Sequence, residues 1–186
     1  MGFDTSEWTT YTNGIDKEFI CGNKKNFTSN LINKNKIILY AGNLGDGQKI
    51  DVFLKDFSKQ LPEGWRFMII GNGSRKVNIV NIISQKNLKN IIVKDAVSRK
   101  KLLSYYRFAS ILLVSLGSER CLSYVIPSKI FEYGTFNKPI LVGANGFTSK
   151  FIVKELPLVE VFTPGDGFDA ANNLKKIIYK KYNKNM

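Results

Sequence analysis

The sequence predicts an α/β domain built on a doubly wound parallel sheet. Short apolar runs alternate with segments whose apolar residues recur at helical spacing, and successive runs lie roughly 20–30 residues apart. The runs are continuously apolar, which is typical of parallel strands covered by helices on both faces. The chain has 186 residues, of which 44% are hydrophobic, and this suffices for one domain with an ordinary core.

Regular structure is predicted to begin at about residue 36. Strands are predicted at 37–41, 67–70, 91–93, 110–116, 140–143 and 158–162. Helices are predicted at about 50–61, 77–83, 98–106, 128–136, 147–154 and 168–181. Residues 1–35 are polar and weakly periodic, so we interpret them as the remnant of an interdomain linker that leads into a domain at 36–186.

The amino-acid composition excludes several kinds of functional site. The chain has no histidine, which excludes histidine-activated nucleophiles, histidine metal ligands and a histidine pH switch. Only Cys21 and Cys121 are present, so neither a disulfide framework nor a cysteine zinc site is expected. No apolar run approaches the length of a transmembrane helix. We therefore expect a cytoplasmic protein.

The chain is strongly basic, with 28 Lys and Arg against 15 Asp and Glu and a formal net charge of +13. Such a charge attracts nucleic acid, anionic membranes or nucleotide phosphates. A lysine-rich bias spread over a solvated surface explains it equally well. Because the lysines are distributed along the whole length, we do not expect a dedicated nucleic-acid surface.

The strongest candidate site lies at 127–139, between two predicted strands. Pro127 and Ser128 have the character of a helix start, where proline suits the first positions and serine offers a capping oxygen. Lys129 and Glu132 then fall near the carboxyl ends of parallel strands, where open α/β sheets bind ligands. A lysine with free helix N–H groups favours a phosphate, and a carboxylate can accept from sugar hydroxyls. The alternative is an exposed charge pair without a ligand.

Three loops after predicted strands supply further candidates. Glycines after the first strand let backbone N–H groups approach a pyrophosphate, or form a flexible turn. Glycines after the second strand precede Ser74, Arg75 and Lys76, which suit an anion or an ordinary helix start. The loop after the third strand can meet a base edge. In chain order, the candidates are Gly42, Asn43, Gly45 and Gly47, then Gly71 and Gly73, then Ala96 and Val97.

Four groups of motifs recur here in an order and spacing specific to one family. They are Asn13-Gly14-Ile15-Asp16 with Phe19, Ala41-Gly42-Asn43-Leu44-Gly45 with Gln48, Ile70-Gly71-Asn72-Gly73, and Pro127-Ser128-Lys129-Ile130-Phe131-Glu132-Tyr133 with Lys138-Pro139-Ile140. The chain resembles, over about residues 9–181, the retaining GT-B glycosyltransferases of family four. It looks most like the branch that transfers amino- or deoxy-sugars in bacterial capsule and O-antigen assembly. The resemblance implies a Rossmann-like domain, the C-terminal half of a GT-B fold.

The resemblance also implies a donor, expected to be a UDP-sugar, and transfer to a glycan or lipid-linked acceptor. In the family, the loop at Gly42 and the helix start at Ser128 face the donor diphosphate. The carboxylate matching Glu132 holds the ribose hydroxyls, and the loop near Ala96-Val97 meets the base. Lys129 and Glu132 are the candidate catalytic residues, and no metal or other cofactor is needed, because helix N-termini and lysines can stabilise the leaving diphosphate.

The acceptor domain is expected before Trp8 and absent from this chain, so the chain alone is expected to transfer nothing. The full-length enzyme is expected at the inner face of the cell membrane, where positive charge favours anionic lipid, and no nucleic-acid partner is expected.

Two departures from the family pattern concern the donor site. Asn43 and Gln48 stand where the family often carries arginine and lysine, for which Lys49 and Lys129 are candidate substitutes. The first of two glutamates is replaced by Tyr124, and the nearby Glu119 is out of register. Two other functions are considered. One is a sugar-nucleotide epimerase half, which the lack of histidine disfavours, and the other is a non-catalytic nucleotide- or nucleic-acid-binding module.

Overall fold

Six strands form one sheet in the computed structural model, which describes residues 15, 17, 19 and 35–182. They are β1 (Ile37–Ala41), β2 (Arg66–Ile70), β3 (Ile91–Lys94), β4 (Ile111–Ser115), β5 (Ile140–Gly143) and β6 (Val159–Phe162). All neighbouring pairs are parallel, in the order β3-β2-β1-β4-β5-β6. The predicted doubly wound, Rossmann-like sheet is confirmed, and its strand order reverses between β1 and β4.

Helices connect the strands close to the predicted bounds. They are α1 (Ile50–Gln60), α2 (Lys76–Gln85), α3 (Arg99–Phe108), α4 (Ser128–Gly134), α5 (Gly146–Glu155) and α6 (Gly167–Tyr182). A short 3-10 helix at Arg120–Tyr124, which the sequence did not predict, lies between β4 and α4.

The hydrophobic core has two parts, one on each face of the sheet. All five residues of β1 are buried, and they alternate between the two parts: Ile38 belongs to one and Leu39 to the other. The first part includes apolar residues of α1 and α6, and the second includes residues of α3 and α4. Because the sheet is buried on both faces, the sequences of its strands are continuous apolar runs.

Phe19 belongs to the second part of the core, although it falls in the segment interpreted as a linker. Its side chain is 1% exposed, and its ring lies 6.1 Å from that of Tyr106 and 6.5 Å from that of Phe136. Ile15 also packs against this part of the core. Apart from Ile15, Lys17, Phe19 and Asn35, the predicted linker 1–35 lies outside the described residues.

The predicted start of α4 is correct, but the predicted cap is wrong. Pro127 occupies the N-cap position and Ser128 is the first helical residue, with no capping hydrogen bond from a side chain. Ser98 takes the N-cap position of α3, also without a side-chain bond. In place of a side-chain cap, the backbone N–H of Ile130 donates to the carbonyl of Pro127 at 3.0 Å.

One face of α4 and of the turn after it is buried. Ile130 and Phe136 are buried, whereas Gly134 is exposed. Tyr133 is fully buried in its place and packs edge-to-face against the ring of Tyr106 at 5.1 Å. The helix therefore turns a tyrosine, and not its glycine, toward the core.

Lys138, part of the quoted Lys138-Pro139-Ile140 motif, has a structural role. Its ammonium donates to the carbonyl oxygens of Arg107, at 2.9 Å, and Ala109, both at the C-terminal end of α3. A cation there satisfies carbonyls that lack partners within the helix. Burial lowers the pKa of Lys138 to about 8. The motif thus ties the start of β5 to the end of α3.

Candidate functional site

A pocket of about 130 Å³ lies at the carboxyl ends of β1 and β2. Its walls come from these two strand ends, the loop after β3 and the first turns of α3 and α4. The lining residues are Ala41, Gly42, Ile70, Gly71, Ala96, Val97, Leu102 and Lys129. Five residues predicted from sequence, which are far apart along the chain, therefore surround one space: Gly42, Gly71, Ala96, Val97 and Lys129. Asn43, Gly45, Gly73, Pro127, Ser128 and Glu132 lie outside this lining.

Gly42 gives Lys129 room to lie across the carboxyl end of β1. A Cβ atom on Gly42 would lie 3.4 Å from Cε of Lys129 and 3.2 Å from the hydroxyl oxygen of Tyr40. Tyr40, buried beneath the loop, donates from this hydroxyl to the carbonyl of Asn43 at 2.5 Å. The small residue at the strand end thus lets the lysine reach the pocket.

Gly71 and Gly73 are required by the close approach of two loops. A Cβ on Gly71 would lie 1.8 Å from the carbonyl oxygen of Gly42, and one on Gly73 would lie 2.4 Å from that of Leu44. The N–H of Leu44 donates to the carbonyl of Asn72 at 2.8 Å, so the two loops are also hydrogen-bonded. These glycines therefore have a structural reason that does not depend on a ligand.

The backbone N–H groups of three candidate loop glycines donate hydrogen bonds within the protein. The N–H of Gly42 donates to Ile70 at 2.9 Å and that of Gly71 donates to Lys94 at 3.1 Å, both to carbonyl oxygens. The N–H of Gly45 donates to the side-chain oxygen of Gln48 at 3.3 Å. Gly42, Gly45 and Gly71 therefore do not present these donors to the pocket.

Two predicted cations after β2 are paired with carboxylates. The Arg75 guanidinium bonds to Asp46, with Nε to Oδ1 at 2.6 Å, and to Asp51, with Nη1 to Oδ2 at 2.7 Å. The hydrogen bond from Arg75 lowers the pKa of the Asp46 carboxyl. Lys76 contacts the carboxylate of Asp95. Neither cation lines the pocket.

Lys49, a candidate substitute for a family lysine, pairs with Glu119 across the point where the strand order reverses. The hydrogen bond from Lys49 lowers the pKa of the Glu119 carboxyl. The loops that carry the two residues are joined directly, because the N–H of Gly117 donates to the carbonyl of Gly47 at 2.8 Å. Lys129 is thus the cation that the described residues place in the pocket wall.

Glu132 lies one turn after Lys129 and is largely buried, with 16% of its side chain exposed. Its Oε2 atom lies 3.2 Å from Nζ of Lys129 and accepts a hydrogen bond from the hydroxyl of Tyr106 at 3.1 Å. Tyr106 falls at the end of the helix that the sequence predicts at 98–106. The helical spacing that placed it there carries no signal of the contact with Glu132, which is distant in sequence.

No group of three or more acidic or cysteine side chains in the described ranges could hold a metal ion. Within the same ranges, none of the helices combines the length and the apolar character needed to cross a membrane.

A parallel, doubly wound sheet with a pocket at its carboxyl edge defines an α/β ligand-binding domain. Residues 23–184 match the family described as glycosyl transferases group 1. Since the match spans most of the chain, the protein belongs to this family. No curated protein sequence matches the chain.

The fold is shared with several solved glycosyltransferases. A structure of S. aureus TarM in complex with fondaparinux, alpha-GlcNAc-glycerol and UDP has a TM-score of 0.68 at 18% identity, over 95% of this chain and 34% of that one. The lipopolysaccharide outer core galactosyltransferase WaaB has a TM-score of 0.61 at 18% identity, over 80% and 42%. HepE of Anabaena in complex with UDP and glucose has a TM-score of 0.59 at 14% identity, over 79% and 40%.

These similarities confirm the predicted resemblance to the C-terminal domain of a GT-B glycosyltransferase. The chain spans less than half the length of each of these three structures.

Proposed function

We propose that the chain is the donor-binding domain of a retaining glycosyltransferase that uses a UDP-sugar. The observation that carries this proposal is the pocket in which apolar walls, exposed backbone and one lysine meet. Ile70, Val97 and Leu102 offer apolar surface to the faces of a base, and the loop after β3 offers backbone groups to its edge. The ammonium of Lys129 at the same pocket suits the diphosphate.

The size of the pocket supports a site that is completed by another domain. Pockets that hold a whole small ligand usually measure about 300–1,000 Å³. The pocket here, at about 130 Å³, can enclose part of the donor, such as the base. In our proposal the sugar and diphosphate lie along the open carboxyl edge of the sheet, and a preceding acceptor domain covers them. The chain alone then binds donor without transferring sugar.

The proposed chemistry is electrostatic. The bond between the sugar and the nucleotide diphosphate breaks, and an acceptor hydroxyl attacks from the same face while its proton passes to the departing diphosphate oxygen, so configuration is retained. Negative charge develops on the departing diphosphate, and the positive charge of Lys129 stabilises it without a metal. Glu132 holds the ribose hydroxyls and so fixes the position of the leaving group relative to Lys129. These two residues are the proposed functional pair.

This proposal predicts that the 186-residue chain binds UDP and UDP-sugars in preference to GDP and ADP. We expect selectivity for the pyrimidine because the pocket is small and a purine is larger. Isothermal titration with UDP, UDP-sugars, GDP and ADP measures it. Tighter binding of GDP or ADP than of UDP would contradict the assignment of the donor. Efficient sugar transfer by the chain alone would contradict the proposal that transfer needs a second domain.

For the acceptor we propose a glycan or a lipid-linked glycan of a bacterial surface polysaccharide, such as capsule or O-antigen, reached at the inner face of the membrane. Residues 86–107 support membrane association, because they carry seven lysines and arginines against one acid, Asp95. They surround β3, the strand at one edge of the sheet. A basic edge of this kind favours anionic lipid by about 1 kcal/mol per cation near the surface.

Sedimentation with vesicles tests this surface. We expect the chain to bind phosphatidylserine vesicles at low salt, and binding to fall roughly a hundredfold when three exposed lysines of the β3 edge become glutamine. The three are Lys89, Lys100 and Lys101. The matched control neutralises Lys59, Lys150 and Lys154, which lie on other helices and are also exposed. Equal losses in both triple variants would show that net charge acts alone and that the β3 edge has no special role.

A further inference from the structure

Two donors meet the same oxygen of Glu132. The hydroxyl of Tyr106 donates to Oε2 at 3.1 Å, and Nζ of Lys129 lies 3.2 Å from the same atom. Neither contact is made to Oε1 of the carboxylate. The carboxyl group is thus held at one oxygen, and the other remains as an acceptor.

The two donors differ in how firmly the fold holds them. Tyr106 is fully buried, and its ring packs edge-to-face against Tyr133 at 5.1 Å and Phe136 at 5.3 Å. Desolvation raises the pKa of Tyr106, so its hydroxyl keeps its proton and remains a donor in neutral solution. Lys129 has a flexible stem, and its ammonium borders the pocket.

We propose that Tyr106 is a positioning residue that holds Oε2 of Glu132 and leaves Oε1 to accept hydrogen bonds from the ribose hydroxyls of the donor. This inference rests on the proposed function. A diphosphate in the pocket draws Lys129 toward its oxygens, and the contact between Lys129 and Glu132 then weakens. Tyr106, fixed by the core, keeps the carboxylate in place at the moment the ligand needs it.

The alternative is that Tyr106 only packs in the core and that its hydroxyl donates to the nearest acceptor without positioning it for a ligand. The two interpretations predict different effects on ligand binding. A positioning role concerns the ribose hydroxyls specifically, whereas a packing role changes the domain as a whole and affects every ligand alike.

The test compares UDP with 2′,3′-dideoxyuridine diphosphate, which lacks both ribose hydroxyls, in calorimetric titrations of the full chain. Tyr106→Phe keeps the ring and deletes the hydroxyl. We expect UDP affinity to fall roughly three- to tenfold, consistent with the net loss of one ordinary hydrogen bond, since the tyrosine acts through Glu132 and does not touch the ligand, and the affinity of the dideoxy analogue to stay the same. In a Glu132→Gln background, Tyr106→Phe should no longer change the ratio of the two affinities, since the carboxylate it orients is gone.

Tyr105→Phe is the matched control, because Tyr105 is the adjacent tyrosine of α3 and makes no hydrogen bond to Glu132 in this structure. It should leave both affinities unchanged. Equal losses for UDP and the dideoxy analogue in Tyr106→Phe, or no loss for either, would overturn the positioning role while the proposed function stands. If the unmodified chain fails to bind UDP at all, the proposed function falls, and the inference falls with it.

Discussion

Gly71→Ala should destabilise the domain by about 3 kcal/mol and abolish UDP binding. The added Cβ would lie 1.8 Å from the carbonyl oxygen of Gly42, a backbone atom that cannot move without disturbing the end of β1. Overpacking of this kind typically costs about 1–3 kcal/mol, and a clash with backbone belongs at the upper end of that range. Urea denaturation followed by circular dichroism measures the change in the free energy of unfolding, and titration with UDP measures the site.

Gly47→Ala is the control for this substitution. Gly47 lies in the loop after β1, but a Cβ there meets no atom within 4 Å. Its free energy of unfolding should stay within about 0.5 kcal/mol of the unmodified chain. If Gly71→Ala proves as stable as Gly47→Ala, then the loops after β1 and β2 are not packed as closely as the structure shows, and the shape of the pocket must be reconsidered.

Most of the fold could be predicted from sequence because the strands are buried on both faces. Runs such as Ile37–Ala41 are continuously apolar, and periodicity identifies the helices between them without any tertiary information. The 3-10 helix at Arg120–Tyr124 could not be found in this way, since it has no buried residue and therefore no apolar pattern. The burial of Phe19 could not be predicted for a related reason, because a single buried residue in a polar segment does not produce a periodic pattern of apolar residues.

The candidate site was predictable only in part, because sequence places residues on loops but does not pair them. Gly42, Gly71, Ala96, Val97 and Lys129 do border one pocket, as strand ends of a parallel sheet require. The partners of Lys49, Arg75 and Lys76 could not be predicted, since these ion pairs join segments that follow different strands. A loop glycine also looks the same in the sequence whether it makes room for a ligand or for a neighbouring backbone segment.

The two cations at the start of α2 are a second example of residues whose partners the sequence did not reveal. Arg75 and Lys76 stand at a helix start after a glycine loop, which suits an anion. The structure shows that Arg75 joins Asp46 to Asp51 and that Lys76 reaches Asp95. Their charge is therefore largely compensated away from the pocket, whereas Lys129 borders the pocket, and this position singles out Lys129 as the cation to test for phosphate binding.

Lys129→Met should lower the affinity for UDP roughly tenfold or more and leave the affinity for uridine almost unchanged. The substitution keeps an apolar stem beside Gly42 and deletes the charge that follows the phosphate oxygens. A hydrogen bond between charged groups contributes about 1.5–3 kcal/mol, which corresponds to at least a tenfold change in the dissociation constant. Glu132 keeps its hydrogen bond from Tyr106, so the ribose contact that uridine shares with UDP should survive.

Calorimetric titrations with UDP and uridine at several salt concentrations measure both effects. The dependence of UDP binding on salt should flatten, because one screened attraction has been removed. The control is Lys150→Met, which deletes the same charge from the exposed surface of α5 and should bind UDP like the unmodified chain. Equal losses for uridine and UDP would mean that Lys129 acts through the shape of the pocket. The phosphate site would then have to be sought at Lys49, whose pairing with Glu119 would need to open first.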